Sequence, residues 1–120
     1  MRSEMLTSIL NDLNSTSAEI EASAVISTDG LMIDSLLPAS MDEDSVGAMS
    51  AAMLSLGERT AQELARGELE QVLVKGKSGY ILMTHANKDS VLTVVAKTNA
   101  RLGLIFLDVK RAAEAIGKIL

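Results

Sequence analysis

Residues 20–37 read IEASAVISTDGLMIDSLL, and this stretch decides the fold. From Ile20 to Thr28 the residues alternate, and a period of two is typical of a β-strand. One predicted face carries Ile20, Ala22, Ala24 and Ile26, and the other carries Glu21, Ser23, Val25 and Ser27. Asp29-Gly30 follows, a pair that favours a two-residue hairpin turn because both residues tolerate positive φ. Leu31–Leu37 is then the returning strand. The stretch therefore predicts an antiparallel hairpin.

Helical spacing is seen on both sides of the hairpin. Arg2–Asn14 predicts an amphipathic helix. Ser40 predicts the N-cap of a second, long helix, because Glu43 three residues on completes a capping box. This helix ends near Arg66, where Gly67 is a good stop. Steps of three, four, three, four and four residues connect its stripe, which consists of Val46, Met49, Met53, Leu56, Thr60 and Leu64.

The second half of the chain predicts three strands and a helix. The strands are Glu68–Lys75, Tyr80–His85 and Ser90–Lys97, and a helix capped by Thr98 or Asn99 then runs from Ala100 to Lys118. Because the last strand is apolar on both faces, helices must cover both sides of the sheet. The sequence predicts an α/β fold: a three-layer α/β/α sandwich with a five-stranded antiparallel sheet, in a single domain over residues 1–120.

Composition excludes several classes of function. Aromatic residues make up only 2% of the 120 residues and the net charge is −5, so base stacking and phosphate binding are disfavoured and no nucleic-acid partner is expected. The absence of cysteine excludes disulfides and thiolate metal sites. No run of about 18 apolar residues or secretory signal is present, which predicts no membrane insertion and a cytoplasmic location.

The chain offers few groups for chemistry. Gly76-Lys77-Ser78 resembles the end of a phosphate-binding loop, but strands flank it on both sides, so a hairpin loop is the favoured interpretation. His85 is the only histidine and has no partner set in the sequence. The carboxylates at residues 42–44 match helix-start electrostatics better than a calcium loop. We therefore predict no catalytic residue, cofactor or metal site, and no enzymatic activity.

The long helix also carries many small residues between Gly47 and Gly57, which would allow a second helix to approach closely. The alternative is an ordinary alanine-rich helix. Met49 and Met53 are interpreted first as ordinary core residues and second as part of an adaptable binding surface.

The strand over Leu69–Lys75 is expected at the edge of the sheet, where a long apolar margin invites pairing unless it is covered. A twofold axis beside it would pair the strand with its own copy. We therefore predict a homodimer whose interface contains Val46, Met49, Ser50, Met53, Gly57, Leu69, Gln71, Val72, Leu73 and Val74.

Three segments carry a family resemblance: residues 24–31 (AVISTDGL), residues 76–82 (GKSGYIL) and the helix opening at residues 102–113. In this order they resemble the roadblock / dynein light chain family, over roughly Met5–Ile119. The resemblance implies a roadblock/profilin-like fold, dimers joined through the long helix and third strand, no active site, and binding of Ras-like small GTPases or roles in motility and signalling assemblies.

On this resemblance the chain is a non-catalytic homodimeric scaffold or regulator that binds a Ras-like small GTPase. The predicted partner-binding residues on the long helix are Glu58, Arg59, Gln62, Glu63 and Arg66. A small-molecule-sensing domain of similar architecture is the alternative.

Overall fold

The computed structural model describes residues 1–120 and confirms the predicted order of elements. These are α1 (Arg2–Thr16), β1 (Ile20–Ser27), β2 (Met32–Leu36), α2 (Glu43–Glu63), β3 (Val72–Gly76), β4 (Gly79–Asn87), β5 (Ser90–Ala96) and α3 (Leu102–Ile119). The strands form one antiparallel sheet in the order β2-β1-β5-β4-β3. The first hairpin (β1 and β2) is therefore joined to the later three strands by the pairing of β1 with β5. β3 lies at an edge of the sheet, as predicted.

Helices cover both faces of the sheet, as the apolar β5 requires. α1 and α3 pack together on one face and enclose the larger core, while α2 crosses the other face. None of the three helices combines the length and the hydropathy that a membrane span requires. The larger core contains fully buried Leu10, Val25, Leu92, Val94, Ile105 and Ile116, and the smaller core under α2 contains Leu54, Met83 and Val91.

Small side chains let α2 lie close to the sheet. A Cβ on Gly47 would lie 2.5 Å from the backbone oxygen of Gly30, so only glycine fits where the helix crosses the hairpin turn. Three residues on, buried Ser50 accepts a 2.9 Å hydrogen bond from Thr93 Oγ1 on β5. Part of the small-residue face therefore serves the chain's own packing.

Both ends of α2 differ from the prediction. The N-cap is Asp42, whose carboxylate accepts from the Ser45 N–H at 2.9 Å, because Ser40 still belongs to the preceding turn. The helix ends at Glu63, before Arg66, because Ala65 adopts a left-handed conformation with φ of 55°. β3 then begins at Val72 rather than at Glu68 or Leu69.

Two further local predictions are corrected. In the first hairpin only Gly30 has a positive φ, of 91°, and residues 28–31 make the turn, so it is longer than the two-residue type. Ile20 joins Val25 in the larger core instead of facing with Ala22, because the register with β5 shifts between residues 20 and 22.

Candidate functional site

The apolar stripe of α2 lies outside the core. Met49 is 62% exposed and Leu56 57% exposed, while Val46 is half-buried and Met53 packs in part against the smaller core. The core interpretation is therefore wrong for Met49 and holds only in part for Met53. We refer to Val46, Met49, Met53 and Leu56, together with Val72 and Val74 of β3, as the α2–β3 surface.

A second stripe at the same spacing explains why the large residues point outward. Gly47, Ser50 and Leu54, separated by three and four residues, are the buried positions of α2. Because two of these three are small, the helix sits close to the sheet, and the bulkier apolar stripe is left on the opposite flank. Periodicity alone detects both stripes and cannot tell which one the sheet covers.

The outer margin of β3 is open. Its five residues pair with β4 in regular register from Val72↔Met83 to Gly76↔Gly79, with no bulge. No side chain of the protein forms a hydrogen bond to residues 72–76. The margin therefore presents a straight row of backbone donors and acceptors, the kind of edge to which another strand can add.

The opposite edge strand, β2, has three local features that oppose pairing with another strand. Its register skips Ile33, which makes a bulge in the strand. The Asp34 carboxylate accepts from the Ser35 N–H at 2.8 Å and from Thr7 Oγ1 of α1, also at 2.8 Å. The Ser35 hydroxyl in turn donates to Glu43 of α2 at 2.9 Å. Bulges and engaged polar groups disfavour strand addition, so the β3 margin is the more open of the two edges.

The charged end of α2 is partly organised by its own contacts. Arg59 Nε and Glu63 Oε1 form a 3.0 Å ion pair one helical turn apart, with both side chains exposed. Glu58 instead points toward the sheet, and its Oε1 lies 3.0 Å from Nε2 of His85. Gln62 and Arg66 are exposed. Four of the five predicted partner-binding residues thus share the C-terminal end of α2, where Glu58 contacts His85. Arg66 lies beyond the end of the helix, so its predicted place on the helix is wrong.

His85 contacts two elements through its ring nitrogens. Its Nδ1 lies 3.1 Å from the backbone oxygen of Asn87, and its Nε2 contacts Glu58, so the ring connects β4 to α2. Beside it is an open polar cleft of about 440 Å³, lined by Gln62, Glu68 and Lys88 among others. No group of three or more histidine or carboxylate side chains is arranged to hold a metal ion.

Some of the predicted dimer-interface residues lie together on the α2–β3 surface, whereas others are buried or lie outside it. Ser50 is only 2% exposed and bonded to Thr93, so it cannot contact a second chain. Gly57 faces the side chains of Leu69 and Val72, which leaves little of it accessible. Leu69 and Gln71 precede β3 and are not part of its margin.

Leu56 belongs to this surface and was missing from the predicted interface, although Val46, Met49 and Met53 of the same stripe were included. Its position in the three-and-four spacing was the available signal. The structure adds that this position is exposed.

Comparison with known proteins finds relatives in an archaeon that match over most of this chain. An uncharacterized protein of Methanocaldococcus jannaschii is 43% identical over 112 residues, which are 93% of this chain and 96% of that protein. A second protein of the same organism is 42% identical with the same coverage.

Solved structures confirm the fold. MglB in a tetrameric arrangement matches with a TM-score of 0.90 at 20% identity, over 98% of this chain and 89% of that one. MglB of Myxococcus xanthus matches with 0.88 at 19%, over 98% and 88%. A Roadblock/LC7 domain from Streptomyces avermitilis matches with 0.84 at 18%, over 90% and 91%. The model of the Roadblock/LC7 domain matches residues 7–96, and the chain therefore belongs to the Roadblock/LC7 domain family.

Proposed function

We propose that the protein is a homodimeric, non-catalytic scaffold that binds a Ras-like small GTPase. At the level of the family, Roadblock/LC7 domains are regulatory scaffolds associated with small GTPases. The observation that carries the proposal for this chain is the α2–β3 surface, where an exposed apolar stripe runs beside an open strand margin.

A twofold axis beside β3 would satisfy both features at once. Antiparallel pairing of β3 with its copy would extend the sheet to ten strands and complete the backbone hydrogen bonds of the margin. The same axis would bring the two α2 helices alongside each other in antiparallel orientation. The stripe of Met49, Met53 and Leu56 has the spacing by which helices interdigitate in left-handed pairs.

Hydrogen exchange tests the pairing of β3. We expect backbone amides of Val72–Gly76 to gain protection as the protein concentration rises, because association covers their margin. Amides of Met32–Leu36 serve as the internal control, since β2 is closed within one chain. Equal behaviour of the two strands at all concentrations would contradict the dimer.

The charged end of α2 is proposed to contact the GTPase. Arg59 is exposed and its ion pair with Glu63 contributes little to folding, so both groups are available to a partner. On this proposal the scaffold acts by positioning the partner's own switch segments.

Binding to small GTPases from the same genome tests this contact. Each GTPase is loaded with GDP or with a non-hydrolysable GTP analogue and titrated by calorimetry. Arg59→Glu should weaken binding about tenfold or more while light scattering still shows a dimer. Arg111→Glu, an equal charge reversal on α3, is the matched control and should bind normally. The proposal fails if no GTPase binds in either nucleotide state, or if both variants bind alike.

No observation favours the alternative function, a small-molecule-sensing domain. Two open clefts at the surface have volumes of about 440 and 640 Å³. Small-molecule sites typically enclose most of a ligand among apolar walls, whereas only one residue lining the first cleft is hydrophobic.

A further inference from the structure

One end of the sheet carries basic residues on two neighbouring turns. Lys75 lies near the end of β3 and Lys77 in the turn that follows, while Lys97 and Arg101 lie between β5 and α3. The two turns touch, because a Cβ on Gly79 would lie 3.6 Å from the backbone carbonyl carbon of Lys97. We call Lys75, Lys77, Lys97 and Arg101 the basic end.

The three lysines of the basic end have no carboxylate partner. None of the ion pairs of the chain includes Lys75, Lys77 or Lys97, and all three residues are exposed. Lys75 instead lies over the ring of Tyr80, with its Nζ 5.9 Å from the ring centroid. The ammonium groups are therefore free to meet an anionic partner.

The charge balance at this end is the reverse of that of the whole chain. Two carboxylates lie at the same end, at the start of β1: Glu19, which is already paired with Arg101, and Glu21. The whole chain, in contrast, has 16 acidic and 11 basic residues. The basic end therefore creates a local positive potential on an acidic molecule.

The opposite end of the sheet has no such surplus. There the β1–β2 and β4–β5 turns meet, since the Thr28 N–H donates to the backbone oxygen of Asp89 at 3.0 Å. These turns carry Asp29 and Asp89 together with a single basic residue, Lys88. An anionic partner would thus meet the sheet at the basic end.

An exposed leucine lies beside the basic end. Leu104, 51% exposed, is in the first turn of α3, and its N–H donates to the backbone oxygen of Arg101 at 3.0 Å. The clefts of about 440 and 640 Å³ contain no residue of the basic end. Charges and an apolar side chain side by side, without a groove, match the surface of a bilayer better than a peptide.

We propose that the basic end binds the surface of a membrane that contains anionic lipids. The basic side chains lie at the level of the lipid phosphates, and the Leu104 side chain enters the boundary between headgroups and acyl chains. Each basic side chain near an anionic leaflet raises the affinity about fivefold, so the group together with Leu104 gives weak, reversible binding. Each protomer carries its own basic end, so binding requires neither the proposed homodimer nor the GTPase contact.

Co-sedimentation with lipid vesicles tests the proposal on the full-length protein. We expect the protein to sediment with vesicles that contain phosphatidylserine and to stay in solution with vesicles of pure phosphatidylcholine. Binding should weaken as the ionic strength rises, because salt screens the charges. Equal binding to both kinds of vesicle, or binding to neither, overturns the proposal.

Two exposed lysines in turns at opposite ends of the sheet provide matched variants. Lys77→Glu should weaken binding to the phosphatidylserine vesicles about tenfold or more, because it reverses one charge of the basic end. Lys88→Glu makes the same change in the β4–β5 turn and should leave binding unchanged. Circular dichroism checks the fold, and Lys97→Glu replaces Lys77→Glu if that variant does not fold. Equal binding by the variants of the two ends contradicts the assignment.

The leucine distinguishes a membrane from other polyanions. Leu104→Ser should weaken vesicle binding several-fold at every ionic strength, because an apolar contact is not screened. Leu31→Ser, at a residue 69% exposed at the opposite end, is the control. Polyglutamate and duplex DNA are titrated separately. If either binds as tightly as the vesicles and loses binding with Lys77→Glu, the basic end serves another polyanion and the membrane proposal is overturned.

Discussion

At the scale of single residues, the structure shows that glycines and polar groups far apart in sequence fix how the layers meet. Gly47 allows the backbone of α2 to touch the turn at Gly30. At the other end of the sheet, Glu19 bonds to both the backbone N–H and the Nε of Arg101, at 2.7 and 2.8 Å, and so caps α3 from 82 residues away. The predicted caps Thr98 and Asn99 make no such bond.

Replacing Gly47 by alanine should destabilise the protein although alanine is the better helix former. The new Cβ would meet a backbone oxygen, so α2 must shift, and we expect a loss of about 1–3 kcal/mol in the free energy of unfolding by urea. Gly103→Ala is the control, because nothing lies within 4 Å of its added Cβ. It should be neutral or stabilising by up to about 1 kcal/mol. Similar effects of both substitutions would refute the close approach.

The Glu19 cap predicts a pH-dependent contribution to stability. The backbone N–H of Arg101, followed by its side chain, lowers the pKa of Glu19 below its ordinary value of 4.5. A carboxyl whose pKa is lower in the folded state stabilises the fold above its unfolded value, and this contribution is lost as the pH falls through the folded pKa.

Glu19→Gln should therefore reduce the free energy of unfolding at neutral pH, and the difference from wild type should shrink as the pH falls below 4.5, the ordinary pKa of the Glu19 carboxyl, and through its lower folded pKa. Glu21→Gln is the control, since Glu21 is exposed and makes no ion pair. A difference for Glu19→Gln that stays constant from pH 7 to pH 3 would argue against the cap.

At the scale of elements, α2 shows two stripes of equal periodicity with different roles. The small stripe of Gly47, Ser50 and Leu54 faces the sheet, and the larger stripe of Met49 and Leu56 faces outward. In the same way the two edge strands differ, because β2 carries a bulge and engaged side chains while β3 has neither. The exposed apolar stripe of α2 and the unpaired margin of β3 therefore lie on the same side of the molecule.

Leu56→Glu should dissociate the proposed dimer without unfolding the monomer, because Leu56 is exposed in the single chain. Each dimer would lose two buried leucines at about 1.5–3 kcal/mol each, which raises the dissociation constant about a hundredfold or more. Sedimentation equilibrium measures the change, and circular dichroism confirms the fold. Leu31→Glu, a substitution of an exposed leucine beside the closed β2 edge, should remain dimeric. A dimeric Leu56→Glu would exclude the α2 stripe from the interface.

At the scale of the whole molecule, the single chain leaves apolar surface on both sides of β3. Leu56 and Met49 lie above the sheet, and Leu73 and Leu107 below it. Formation of the proposed homodimer would cover Leu56 and Met49. The free energy of unfolding would then depend on protein concentration.

Thermal unfolding should therefore depend on concentration. For a dimer that unfolds to separate chains, each tenfold rise in protein concentration adds about 1.4 kcal/mol of apparent stability, and the midpoint should rise by several degrees. Calorimetry over two decades of concentration measures this. The Leu56→Glu variant is the reference, with a midpoint independent of concentration, and a wild type that behaves like it would contradict the dimer.

The sequence by itself determined the element order, the hairpin at residues 20–37, and the edge position of the strand after the long helix. These depend on local periodicity and turn chemistry, which neighbouring residues encode. Only the tertiary structure decided which stripe of α2 faces the sheet, that Ser50 is buried against Thr93, and that Glu19 caps α3. These contacts join residues tens of positions apart, and local pattern carries no information about which distant groups will meet.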